Sequence, residues 1–300
     1  MHKQLLNEAI LEIAIRPDGP LLIKAGETGG LDPTHPDMEF VRTLDRVFLP
    51  GSSLKGVLRA HSERIVRSLQ AQGEGRGACD PLKRGESCGD RLERLRLESD
   101  EKYRQSCCIC RLFGSTVVAS RVRFADALPV GEVAIEERNG VAIDRVFGSV
   151  AVGPFNYEVV TSGVFRTSIL FKNVTLAQLA LVGLALRDVG EGRVGIGFGK
   201  SRGLGRVAID WGRLTIRYPL ADLRQTQPDQ TRLCGVGALI GAETRAAYGV
   251  SAEDWAELPE GLGFESDGWG SLTLVAEGSA QVQELFRRAV GRWREEVQGG

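Results

Sequence analysis

The sequence has no apolar run approaching the ~20 residues that a membrane span needs, and its opening, MHKQLLNEAI, lacks the long apolar core of a signal peptide. A cytoplasmic protein with no membrane partner is the expectation. Charge of one sign is not in excess either: 38 Lys plus Arg stand against 39 Asp plus Glu, for a net charge of −1. A polyanionic partner must then be met by a local basic surface, balanced by acidic regions elsewhere. No internal repeat is visible. Six cysteines in a reducing compartment do not make a disulfide framework, and their distribution is uneven: five fall between 79 and 110, and Cys234 stands alone.

Phosphate-loop motifs are missing as well, although one stretch resembles them. In GIGFGKSRGLG (195–205), a Walker A loop built on Gly199, Lys200 and Ser201 needs glycine at 194, where the chain has Val194. Gly195 leaves one residue too few, no Gly-x-Gly-x-x-Gly is present, and a strand-like segment follows where a phosphate-binding loop needs a helix N-terminus. A nucleotide-binding enzyme is therefore a remote alternative. What stays open is a purely structural glycine turn or a backbone cradle, in which Lys200, Ser201, Arg202, Gly203 and main-chain N–H groups face phosphates.

At 300 residues the chain can bury a sizeable core. Residues 5–24 alternate apolar and polar around RPDG and read as a hairpin or two strands. Residues 25–46 read as a long loop, of the kind that is often functional. From 47 to 70 a short strand runs into a helix, with Ser52 or Ser53 after Pro50 and Gly51 as candidate caps. Residues 115–130 read as a strand, 138–160 as an extended hairpin, 163–174 as another strand, and 175–190 as an apolar helix capped by Thr175. A strand follows at 206–218, and a strand and helix close the chain. This order predicts an α+β sheet with helices on one face.

Residues 71–110 are too polar to build a core, so something else must order them. Cys79, Cys88, Cys107 and Cys110 are spaced C-x8-C-x18-C-x2-C. Four thiolates around a structural zinc ion would do so, and a closed four-cysteine site leaves no position for catalytic water. Free cysteines are the alternative, and Cys108 is a candidate to replace a neighbour in the ligand set.

Three segments in order carry a family resemblance: FLPGSSLKGVLR (48–59), CRLFGS (110–115) and GFGKSRGLGRV (197–207). Together they resemble the RAMP superfamily, the repeat-associated proteins of CRISPR systems, and within it the backbone subunits of type III effector complexes. The resemblance implies one domain over 1–300. It would be a ferredoxin-like, RRM-type palm with a zinc-binding insertion at about 71–110, a thumb hairpin at about 138–160, and a C-terminal extension at about 219–300 without an assigned role. It implies CRISPR guide RNA, target RNA and neighbouring RAMP subunits as partners. In such a palm the helix at PGSSLKG would aim its N-terminus at a phosphate, with Ser52, Ser53, Lys55 and Arg59 as further donors. Val146 and Phe147 near the thumb tip would wedge between bases; an ordinary core hairpin is the alternative.

Backbone subunits of this family often cut target RNA with an aspartate in the loop before PGSS. Asp37, followed by Phe40, Val41 and Arg42, fits that pattern best, with Asp32 second. Such a carboxylate would bind hydrated Mg²⁺ or Mn²⁺, or orient a ribose 2′-hydroxyl for attack on the adjacent phosphate. Turn chemistry beside proline is the bland role for both acids. A non-cleaving or repeat-processing RAMP protein is the main alternative.

Overall fold

The computed structural model describes residues 3–26, 36–69, 77–83, 85–224 and 228–298. Strand β1 (Glu8–Pro17) alternates buried and open positions, so Ala9, Leu11, Ile13 and Ile15 share one face. The short pair β2 (Arg42–Thr43) and β3 (Arg46–Val47) leads into helix α1 (Gly51–Leu69). Three small helices, α2 (Cys88–Glu93), α3 (Ser99–Gln105) and α4 (Cys108–Phe113), precede β4 (Val122–Phe124) and the long hairpin of β5 (Leu128–Ile143) and β6 (Val150–Lys172). Helix α5 (Leu176–Gly190) follows, then the glycine loop, β7 (Val207–Tyr218), β8 (Arg232–Cys234), α6 (Ala242–Tyr248), β9 (Trp255–Glu257), β10 (Glu265–Ser266), β11 (Leu272–Glu277) and α7 (Gly278–Gln298).

The fold is mixed α/β on an antiparallel sheet of order β10-β11-β7-β1-β6-β4, with β5 paired to β6 beyond that path. Ile13 and Ile15 of β1, Leu54 and Leu58 of α1, and Leu186 and Val189 of α5 line one small apolar cavity of about 20 Å³. Both helices therefore cover the same face of the sheet, and the space left between them holds one water at most and no nucleotide. Helix α7 joins that layer: the Phe286 ring stacks edge-on against Trp211, centroids 5.2 Å apart, and lies where a Gly183 side chain would stand. The last eighty residues thus extend the sheet through β11, which pairs with β7.

One cap reading holds and several other sequence readings are adjusted. Thr175 caps α5 through a reciprocal capping box with Gln178. Neither Ser52 nor Ser53 caps α1: the Gly51 N–H donates to Asp126 Oδ1 at 2.7 Å, and a Cβ at Gly51 would stand 2.4 Å from the Phe124 carbonyl oxygen. The serines are inside the first turn instead. Residues 20–24 form no hairpin with β1; Leu21 exchanges two backbone hydrogen bonds with Val160 of β6, at 2.9 and 2.8 Å. The hairpin arm and the strand read separately at 150–160 and 163–174 are a single strand of 23 residues. Its outer half projects beyond the sheet, and its inner half is core.

Candidate nucleic-acid interface and metal centre

The glycine loop is built by close approach. Phe198 N–H donates to the Leu22 carbonyl at 2.7 Å, Gly205 N–H to Pro20 at 2.9 Å, and Ile196 N–H to Gly205 at 2.8 Å. A Cβ at Gly197 (φ +75) would fall 2.2 Å from Leu22 O, and one at Gly205 (φ +89) 2.1 Å from Ile196 O. These two glycines answer to packing. Gly203 (φ +81) has nothing within 4 Å of its Cβ direction, and Lys200, Ser201 and Arg202 beside it are exposed.

This loop meets α1 across an open groove lined by Ile23, Lys24, Ser53, Gly56, Val57, Ala60, Gly197, Phe198 and Lys200. Burial, and then the neighbouring Arg64 charge, pull the Lys200 ammonium below its ordinary value. Arg202 lies over the Phe198 ring, 5.0 Å from its centroid. Lys24 belongs to this surface without any motif that marks it; only the crossing of 20–24 under the loop brings it there. Of the residues expected on α1, Ser53 reaches the groove.

Lys55 and Arg59 lie on another side of α1. Lys55 Nζ donates to Ser120 Oγ at 3.0 Å, and burial, followed by Arg59, lowers its pKa. Arg59 is spread over three acceptors: Glu63 Oε1 at 3.2 Å, the Gly114 carbonyl at 2.9 Å, and Cys110 Sγ at 3.5 Å. Burial works against its charge, but Cys110 and Glu63 outweigh it and hold the guanidinium above its usual pKa. Ser52 is exposed at the start of the helix.

The sulfurs of Cys79, Cys88, Cys107 and Cys110 all lie within 4.8 Å of one another. Cys79 Sγ is 3.7 Å from Cys110 Sγ, and a tetrahedral zinc with ~2.3 Å bonds to sulfur spaces its ligands ~3.8 Å apart. The donor set and spacing fit a metal such as zinc. Backbone N–H groups already point at the sulfurs, Cys107 N to Cys88 at 3.2 Å and Cys110 N to Cys107 at 3.4 Å. Hydrogen bonds from Cys107 and Cys110 pull the Cys79 thiol down to about 6 and Cys88 lower still, while the bonds to Cys79 and Cys88 push Cys107 and Cys110 up, so the four titrate together as one cluster. Cys108 turns outward and donates to the Gly77 carbonyl at 2.6 Å, so it is not one of the four.

The β5–β6 hairpin ends in a tight loop in which Asp144 Oδ1 accepts the Val146 and Phe147 N–H groups, both at 2.8 Å. That turn presents Val146 and Phe147 outward, 81% and 84% exposed. At the side of the hairpin, Asp37 is exposed and its Oδ2 accepts the Asn156 N–H at 2.9 Å. Arg42 pairs with Glu158 through two 2.8 Å bonds nearby. Asp32 lies outside the described residues.

No helix among the described residues is long and apolar enough to cross a membrane, and no curated protein matches the chain. The family model of the RAMP superfamily matches residues 15–208, from β1 through the cysteine segment and hairpin to the glycine loop. With well over half of its length so matched, the chain belongs to the RAMP superfamily.

Proposed function

We propose that this RAMP protein is a guide-RNA-binding backbone subunit of a type III CRISPR effector complex, flanked there by neighbouring RAMP subunits. Membership of the superfamily fits a CRISPR-associated RNA-binding role. Support for a ferredoxin-like palm comes from the connectivity β1-α1-β4-β6-α5-β7 and the spatial order β7-β1-β6-β4, which is a split βαβ arrangement. The observation that carries the RNA reading is the groove, where the first turns of α1 and the glycine loop face each other with Lys24 and Lys200 at its edge. Two ammonium groups and an exposed aromatic suit a ribose-phosphate backbone with unstacked bases. In the same reading Val146 and Phe147 wedge open the guide–target duplex, and zinc on the four cysteines orders the insertion.

Target cleavage is the finer part of the proposal, with Asp37 as the acting carboxylate. Asp37 would take the proton of a ribose 2′-hydroxyl as its oxygen attacks the adjacent phosphorus. The bond from phosphorus to the 5′-oxygen breaks, water protonates that oxygen, and a 2′,3′-cyclic phosphate and a 5′-hydroxyl result. Hydrated Mg²⁺ or Mn²⁺, shared with RNA phosphates, would neutralise charge there.

The test uses the full chain and a guide-length single-stranded RNA. Replacing Lys24 and Lys200 together by Ala weakens binding and lowers the slope of log affinity against log salt by about 1.4, the value for two phosphate contacts on a single strand. Binding and slope unchanged from the parent chain would remove the groove from the interface. In the assembled complex, Asp37→Ala stops the appearance of cyclic-phosphate ends; if the parent complex makes none, the non-cleaving reading stands.

A further inference from the structure

Helix α1 carries a ladder of charge at four-residue spacing: Arg59, Glu63, Arg67. Glu63 bonds both arginines, Arg59 Nε at 3.2 Å and Arg67 Nη2 at 3.3 Å. Each arginine then reaches a different arm of the cysteine segment. Arg59 donates to Cys110 Sγ at 3.5 Å and to the Gly114 carbonyl at 2.9 Å; Arg67 donates to the Cys79 carbonyl at 2.8 Å. The two arms supply the sulfurs of one cluster, yet are far apart in sequence.

We infer that this ladder is the outer shell of the metal centre, with Arg59 as the positioning residue that donates directly to a ligating sulfur, and that it ties metal occupancy to the groove wall. The inference rests on the reading of the four cysteines as a metal site. Four thiolates on a divalent ion carry net charge −2, and Arg59 is the cation seated against them. An N–H···S bond withdraws electron density from the thiolate and fixes its direction. Arg67 grips only main chain, so it holds the arm without touching sulfur. The adjoining flank of the same helix presents Ser53 and Gly56 to the groove. A metal that draws the two arms together therefore steadies α1 alongside the groove.

Zn²⁺ affinity of the full chain, measured by competition with a chromogenic chelator, and the Co²⁺–thiolate charge-transfer band test this. Arg59→Gln should weaken Zn²⁺ binding by about 10–100-fold and shift the band to lower energy, because a thiolate without its donor gives up charge more readily. Arg67→Gln should weaken binding without moving the band. Should Arg59→Gln fail to fold, Arg59→Lys keeps the charge but not the fork that spans Gly114 and Cys110, and the same band shift is expected. Parent-like affinity and an unmoved band in the folded Arg59 variant would overturn the assignment. A parent chain that binds neither ion defeats the metal reading itself, a separate outcome. Metal removal should also speed amide exchange across Gly51–Ala60 at least tenfold; unchanged exchange there would break the link to the groove.

Discussion

Replacing Gly197 by Ala separates the glycines that shape the loop from those left open to a ligand. At φ +75 the new Cβ would stand 2.2 Å from the Leu22 carbonyl oxygen, well inside any tolerated contact. Holding an L-residue in the left-handed region costs roughly 1–2 kcal/mol. Moving the backbone aside costs about 1–3 kcal/mol as overpacking. The move also loosens the 2.7 Å bond from Phe198 N–H to Leu22, which contributes about 0.5–1.5 kcal/mol. The variant should lose about 3–6 kcal/mol in total. Gly203→Ala is the internal control, since its φ of +81 is also left-handed but no atom lies within 4 Å of the added carbon. That change should cost only the conformational ~1–2 kcal/mol. Urea unfolding followed by tryptophan fluorescence measures both. Equal losses in the two variants would refute the claim that Gly197 is held by its contact with Leu22 and not by backbone conformation alone.

Two further outcomes are expected. Replacing Val146 and Phe147 by Ser should leave stability within about 0.5 kcal/mol, as both side chains are in solvent, yet, on the proposed wedge role, remove the fluorescence rise of 2-aminopurine placed in a guide–target duplex at the hairpin tip; a full rise in the variant would end that role. Asp188 gives a pH signature: burial pushes its carboxyl up, but hydrogen bonds from His61 and Arg187 outweigh that and hold it below the ordinary value. A depressed folded pKa means its contribution is present above the unfolded value of about 3.9 and is lost as pH falls through the folded one. Urea midpoints between pH 6 and 3 should therefore show an acid-side loss in the parent chain that is reduced in Asp188→Asn; identical acid profiles would exclude Asp188 as its source.

Where a segment's own period decides its structure, the sequence was readable. The alternation in β1 puts Leu11, Ile13 and Ile15 on one face, and the Thr175 and Gln178 pair at the start of α5 forms the capping box that its residues allow. The cysteine spacing pointed to the four sulfurs that converge, but setting Cys108 aside depended on the Gly77 carbonyl, which no spacing reveals. Asp126 as the partner of Gly51 was hidden for the same reason: it lies 75 positions away. The join of the exposed hairpin to a core strand was hidden too, because β6 changes from an exposed ribbon to a buried strand along its length, and each half has its own pattern.

Helix α1 shows most clearly what a sequence leaves undecided. Its period puts Ser52, Lys55 and Arg59 along one side and Ser53, Gly56 and Ala60 along another, and the cations make the first side the natural choice for RNA. The structure gives the cations other work. Lys55 is engaged by Ser120 and Arg59 by Gly114, Glu63 and Cys110, so the side with small residues is the one that lines the groove. Small side chains there let the glycine loop approach, and the lysines that line the groove, Lys24 and Lys200, come from other segments. Leu54 and Leu58 turn one face of α1 to the core; the segment from Cys110 to Ser120 then engages the flank that carries Lys55 and Arg59, and the flank that carries Ser53 and Gly56 is left to the groove.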